Sequence, residues 1–131
     1  VTARQARCRC GAVTVACTGE PVRVSVCHCS NCKRRSGSAF AVQARFPDDA
    51  VEIIGETRGW EEVGESGSLF RHRFCPQCGV AVAYTLDSMP GVTAIPLGLF
   101  DDPHFGRLEY SVFEERKLAW VAITGDVAHY D

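Results

Sequence analysis

Long hydrophobic runs are missing from this sequence: no stretch of about 18 apolar residues occurs, so neither a membrane-spanning helix nor a membrane partner is expected. The chain also lacks an opening basic stretch followed by an apolar run and a small-residue cleavage site. Secretion is therefore unsupported, and the cytoplasm is the expected location. An excess of positive charge is missing too. Fourteen Lys plus Arg face sixteen Asp plus Glu, a formal net charge of −2, so no nucleic-acid partner is expected. No internal repeat, low-complexity tract, linker or long amphipathic helix interrupts the chain. What remains is 131 residues, 46% of them hydrophobic, which is enough for a true core and for one domain over residues 1–131.

Short β-type runs fill that domain: Ala12 to Cys17, Val22 to Val26, Ala39 to Phe46, Val51 to Ile54, Leu69 to Phe74, Val80 to Tyr84 and Val92 to Pro96. Gly, Pro, Asp and Ser separate them, as in antiparallel strands joined by short loops. In Ala39 to Phe46, the apolar residues Phe40, Val42, Ala44 and Phe46 alternate with Ala39, Ala41, Gln43 and Arg45, the pattern of a half-buried strand with one large-residue face. One or two helical turns are expected over Asn31 to Ser36, with Ser30 as N-cap and Gly37 as the stop. Asp101 to Leu118 is ambiguous, since Phe113 to Lys117 fits either a helical turn or a charged strand end. The expected class is mainly β: a small zinc-bound domain, with two sheets pinned by metal.

The metal is expected from the eight cysteines. They occur as Cys8-Arg9-Cys10, Cys27-His28-Cys29-Ser30-Asn31-Cys32 and Cys75-Pro76-Gln77-Cys78, with Cys17 alone. In the last cluster proline sets a bend, and the following Gly79 permits a backbone that aims amides at sulfur. Two cysteines one residue apart on an extended chain, as at Cys8 and Cys10, project to the same side. Seven ligands divide most simply as four plus three. The two separated pairs close one tetrahedron, and the compact triplet Cys27, Cys29 and Cys32 takes its own zinc, giving two Zn²⁺ per chain. Structural zinc sites are full, whereas reactive ones keep a place for water or substrate, so the triplet is the candidate working site. Thiolates around zinc also make the loaded protein more acidic than its composition.

Competing readings are weaker on chemical grounds. A disulfide framework would require bridging a strained Cys-x-Cys pair in a reducing compartment. A redox Cys-x-x-Cys belongs near a βαβ pattern that the sequence lacks. Cys17 ends an alternating strand and reads as a buried small hydrophobe. His28 could be a fourth ligand of the triplet, although in an extended Cys-His-Cys its side chain points away from both sulfurs. His72 reads as strand surface, and His104 and His129 as loop. Lys33, Arg34 and Arg35 form either a solvated turn or a cluster that offsets thiolate charge and attracts an anionic ligand.

The order CxCG, then CHCxxC followed by a basic run and Ser36-Gly37-Ser38-Ala39-Phe40, then FCxxCG, resembles the glutathione-dependent formaldehyde-activating enzyme family, which also includes centromere protein V. The likeness extends to Leu97-Gly98, Asp101-Asp102-Pro103 and the stretch from Glu114-Glu115 to Trp120. It implies a fold of the β-tent type. It also implies a structural zinc on Cys8, Cys10, Cys75 and Cys78 and a catalytic zinc on Cys27, Cys29 and Cys32. The implied reaction joins glutathione to formaldehyde, a carbon–sulfur lyase reaction run in reverse, so glutathione or another small thiol and a small aldehyde are the expected partners. The alternative is a non-catalytic zinc-stabilised module that binds protein. Exposed sheet edges would also permit a homodimer.

Overall fold

Each expected strand forms, and four more join them, in the computed structural model, which describes residues 2–131. In chain order the elements are β1 (Ala3–Arg7), β2 (Thr14–Thr18), β3 (Arg23–Cys27), α1 (Ser30–Ser36), β4 (Ala41–Pro47), β5 (Val51–Ile54), β6 (Arg58–Val63), β7 (Leu69–Phe74), β8 (Ala81–Leu86), β9 (Val92–Pro96), β10 (Tyr110–Val112) and β11 (Ala128–His129). A three-stranded sheet runs β1-β2-β5, and an eight-stranded sheet runs β11-β10-β3-β4-β9-β8-β7-β6. The pairs are antiparallel except at one edge, where β10 lies parallel to both β3 and β11. The architecture is mainly β, as expected.

The core unites the two sheets. Ala6, Val13 and Val15 from the β1–β2 hairpin belong to one buried cluster with Val24, Ala44, Phe46, Val82 and Ile95 of the large sheet. Phe46 and Ile95 are fully buried, each stabilising the fold by about 1.5–3 kcal/mol. Cys17 lies in this cluster as the expected small hydrophobe, and burial pushes its thiol up to about 11.

Two sequence expectations need correction. The polar face of β4 is not solvated: Gln43 and Arg45 are buried along with Ala44 and Phe46, because β4 sits mid-sheet between β3 and β9 and its second face turns into a cavity. His72 is not strand surface either. Its cross-strand partner Trp60 stacks on it at 4.5 Å between ring centroids, and it is 2% exposed. The ambiguous segment resolves as a 3₁₀ turn over Glu114–Arg116.

Candidate metal centres

Two turns of similar design build the four-cysteine cluster. One follows β1 and the other lies between β7 and β8, so the cluster ties the small sheet to the large one. In each, the first cysteine's N–H donates to the carbonyl five residues on, Cys8 to Val13 at 3.0 Å and Cys75 to Val80 at 2.9 Å. Each turn also has a left-handed glycine, Gly11 (φ 81°) and Gly79 (φ 77°), a conformation that costs an L-residue about 1–2 kcal/mol. Cys10 Sγ stands 3.7 Å from both Cys8 Sγ and Cys75 Sγ. Sulfurs held about 2.3 Å from one tetrahedral ion stand about 3.8 Å apart, so the spacing fits a metal and far exceeds a disulfide bond. Backbone amides are aimed at the sulfurs: Val13 N–H donates to Cys8 Sγ at 3.3 Å. Amides of Cys10 and Val80 hold the Cys78 thiol down at about 6.

The three-cysteine cluster is local. Cys27 ends β3, Cys29 caps α1 and Cys32 lies inside its first turn; their sulfurs are within 4.8 Å of one another, and all three residues are buried. The helix cap is Cys29 rather than the expected Ser30: its Sγ accepts from Cys32 N–H at 3.3 Å, and Gly37 (φ 65°) ends the helix as expected. The Cys27 thiol, and then that of Cys32, donates to Cys29, holding Cys29 far below the ordinary thiol range and Cys27 far above it. Such a donor set suits a thiophilic cation.

His28 faces away from these sulfurs. It is fully buried, its N–H donates to Val112 O at 3.1 Å, and its Nε2 lies 2.9 Å from Ser111 Oγ. Burial pushes the imidazole pKa down, so the ring stays neutral. His28 therefore anchors the loop from beneath rather than ligating. Against the cluster packs Phe113, whose left-handed backbone (φ 56°) costs about 1–3 kcal/mol and is held by the Glu114 N–H bond to Tyr130 O.

All three sulfur-bearing residues line a cavity of about 210 Å³. Its walls include Phe70, Leu86, Met89 and Phe113, and its polar groups include Arg23, Arg35, Gln43, Arg45 and Tyr84 together with Glu62 and Glu65.

Comparison with known proteins identifies the scaffold. The family model described as glutathione-dependent formaldehyde-activating enzyme matches residues 3–116. The chain belongs to that family. A crystal structure of a Rhodobacter sphaeroides protein shares the fold, with a TM-score of 0.59 and 21% identity over 76% of this chain and 91% of that one. The search of curated proteins returned no significant match.

Within this member of the formaldehyde-activating enzyme family, the basic run diverges. Arg35 enters the cavity, 3.8 Å from Cys32 Sγ and over the Tyr84 ring. Lys33 Nζ instead donates to Arg116 O at 2.8 Å, and Arg34 is exposed. Sequence reasoning missed Arg45, Gln43 and Tyr84. The Gln43 amide is satisfied with its nitrogen donating to Ser25 O and its oxygen accepting from Tyr84 Oη and Arg35. Burial pushes the Tyr84 hydroxyl up to about 12, so it stays a donor and acceptor at neutral pH. The available signal was the presence of two long polar residues, Gln43 and Arg45, at alternate positions of an otherwise apolar run.

Proposed function

We propose that residues 1–131 form a single β-tent-type zinc domain acting as a carbon–sulfur lyase-type enzyme, one that condenses glutathione or a similar thiol with formaldehyde or a related small aldehyde. Cys8, Cys10, Cys75 and Cys78 would hold a structural Zn²⁺, and Cys27, Cys29 and Cys32 a catalytic one. The observation that carries this reading is that three sulfurs, one short of a tetrahedral set, line a partly enclosed cavity. Zinc bound there would supply a fourth position at which a thiol of ordinary pKa about 8.5 is held as thiolate at neutral pH.

The chain's own residues do the rest. His28, tied to Ser111, fixes the loop that presents Cys27 and Cys29. Arg35 beside Cys32 offsets the thiolate charge, and the apolar walls limit water around the reacting carbonyl. In the balanced reaction, the thiolate sulfur forms a bond to the aldehyde carbon and the C=O π pair moves to oxygen. That oxygen takes up a proton equivalent to the one the thiol released, giving the hydroxymethyl thioether. The free thiols and the thiophilic sites suit a reducing compartment such as the cytoplasm.

Cobalt substituted into both centres tests the reading. Glutathione should add a sulfur-to-metal charge-transfer band at the triplet, more strongly as pH rises toward the thiol pKa, whereas S-methylglutathione should add none. An unchanged spectrum at millimolar glutathione would mean that the chain uses the fold as a zinc-stabilised binding module.

A further inference from the structure

The side of the cavity lined by the β3–β4 pair is built around an arginine that has no anion. Arg23, Ser25 and Cys27 alternate onto one face of β3, and Ala41, Gln43 and Arg45 onto the same face of the paired β4, with Arg23 opposite Arg45 and Cys27 opposite Ala41. Arg45 is only 9% exposed. Its Nη1 donates to Ser25 Oγ at 2.9 Å and its Nη2 to Tyr84 Oη at 3.1 Å, both neutral partners, while its Nε reaches no acceptor. A guanidinium carries five N–H donors, so most of its capacity is unspent.

No carboxylate among the described residues pairs with Arg45, Arg23 or Arg35. The two acids that line the cavity are engaged elsewhere, Glu62 with His72 and Glu65 with Arg116. Arg35 already compensates the sulfur cluster through Cys32. Arg45 touches no sulfur. A buried cation with neutral partners is costly unless a counter-charge arrives, and its planar fork matches a carboxylate.

We propose that Arg45, with Arg23 beside it, forms a carboxylate subsite, so that the substrate taken at Cys27, Cys29 and Cys32 carries an acid group as well as its sulfur. This rests on the reading of the triplet as the thiol-binding centre. Ser25, which holds the guanidinium, is two residues from Cys27, about 7 Å along the strand. That span suits a thiol and a carboxylate a few bonds apart. Glutathione satisfies the requirement with either of its carboxylates, and a short mercapto acid satisfies it with fewer atoms to immobilise.

The test uses the full-length, cobalt-loaded protein and 3-mercaptopropionate against its methyl ester, with the same thiol but no charge. The acid should bind at least about tenfold more tightly than the ester, the scale of a charge-assisted hydrogen bond. Arg45→Gln and Arg23→Gln should each shrink that ratio, and Arg45→Lys should keep part of it. Arg23 is only partly buried, so its variant reports even if Arg45→Gln does not fold. Equal binding of acid and ester in the wild-type protein overturns the subsite while leaving the thiol reading intact. Should neither thiol alter the spectrum, 3-(methylthio)propionate decides, because it has the acid and no ionisable thiol. Saturable amide shifts around residues 23–25 and 43–45 in NMR, lost in Arg23→Gln, uphold the subsite alone; no saturable shift overturns it.

Discussion

The two cysteine centres solve opposite problems with the same ligand atom. The four-cysteine centre draws on residues far apart in the chain, Cys10 and Cys75 being 65 positions from each other, and joins two hairpins from different sheets. The three-cysteine centre draws on six consecutive residues and joins nothing, but it faces a cavity. On the proposed reading, the set that is complete and spans the fold serves stability, and the one that is incomplete and local leaves a position for chemistry.

Substitutions should expose this difference, most strongly at the ligands. Cys75→Ser or Cys8→Ser should unfold the protein near ambient temperature. Structural zinc contributes about 10–16 kcal/mol to a small fold, comparable to or larger than the roughly 5–15 kcal/mol of net stability of a typical domain. Cys32→Ser should lower the melting temperature far less while halving the metal content. Thermal unfolding with elemental analysis of each variant checks the contrast, and equal losses in both classes would make the triplet a structural site as well.

A smaller effect is expected beneath the triplet. His28→Ala removes the group that bonds Ser111 and leaves buried polar atoms without partners, a cost of about 1–3 kcal/mol. It should weaken metal retention at the triplet alone. Competition with a colorimetric chelator should show one metal leaving faster and the other unchanged; simultaneous release would mean that the two centres are coupled through the core.

The smallest effect concerns acid. Ser111 and then His129 donate to Glu114 and hold its carboxyl below the ordinary value of 4.5. The native state thus binds this proton less readily than the unfolded chain, so the contribution is complete above pH 4.5 and fades as pH falls through the lowered native value. The difference in melting temperature between the wild type and Glu114→Gln should therefore persist at pH 5–6 and narrow below about pH 4. A gap that stays constant to pH 3 would show that the Glu114 charge plays no part in holding the Ser111–His28 anchor.

The two cysteine clusters were legible in the sequence because cysteine spacing is a local property. Most strands were legible because Gly and Pro punctuate them. Four strands were missed: β10 and β11 are three and two residues long and pair in parallel with distant partners, while β1 and β6 are largely exposed sheet edges. The cavity was not legible. Alternation in β4 separates two faces but does not say that the polar one meets Tyr84 and Arg35 rather than water. His72 was misread for the same reason, since only the register of β6 against β7 brings Trp60 over it.

The spread of the four-cysteine ligands has a further consequence during synthesis. The triplet is complete once Cys32 has emerged from the ribosome, but Cys8 and Cys10 must wait for Cys78, several seconds later at about 5–20 residues per second. Throughout that interval the nascent chain exposes a full trio and a stranded pair, with thiols enough among them to capture one ion in the wrong combination. On the two-metal reading, correct metallation would depend on timing as well as affinity: excess free metal early in translation would favour mispaired chains, while slow delivery would let the β7–β8 hairpin arrive first.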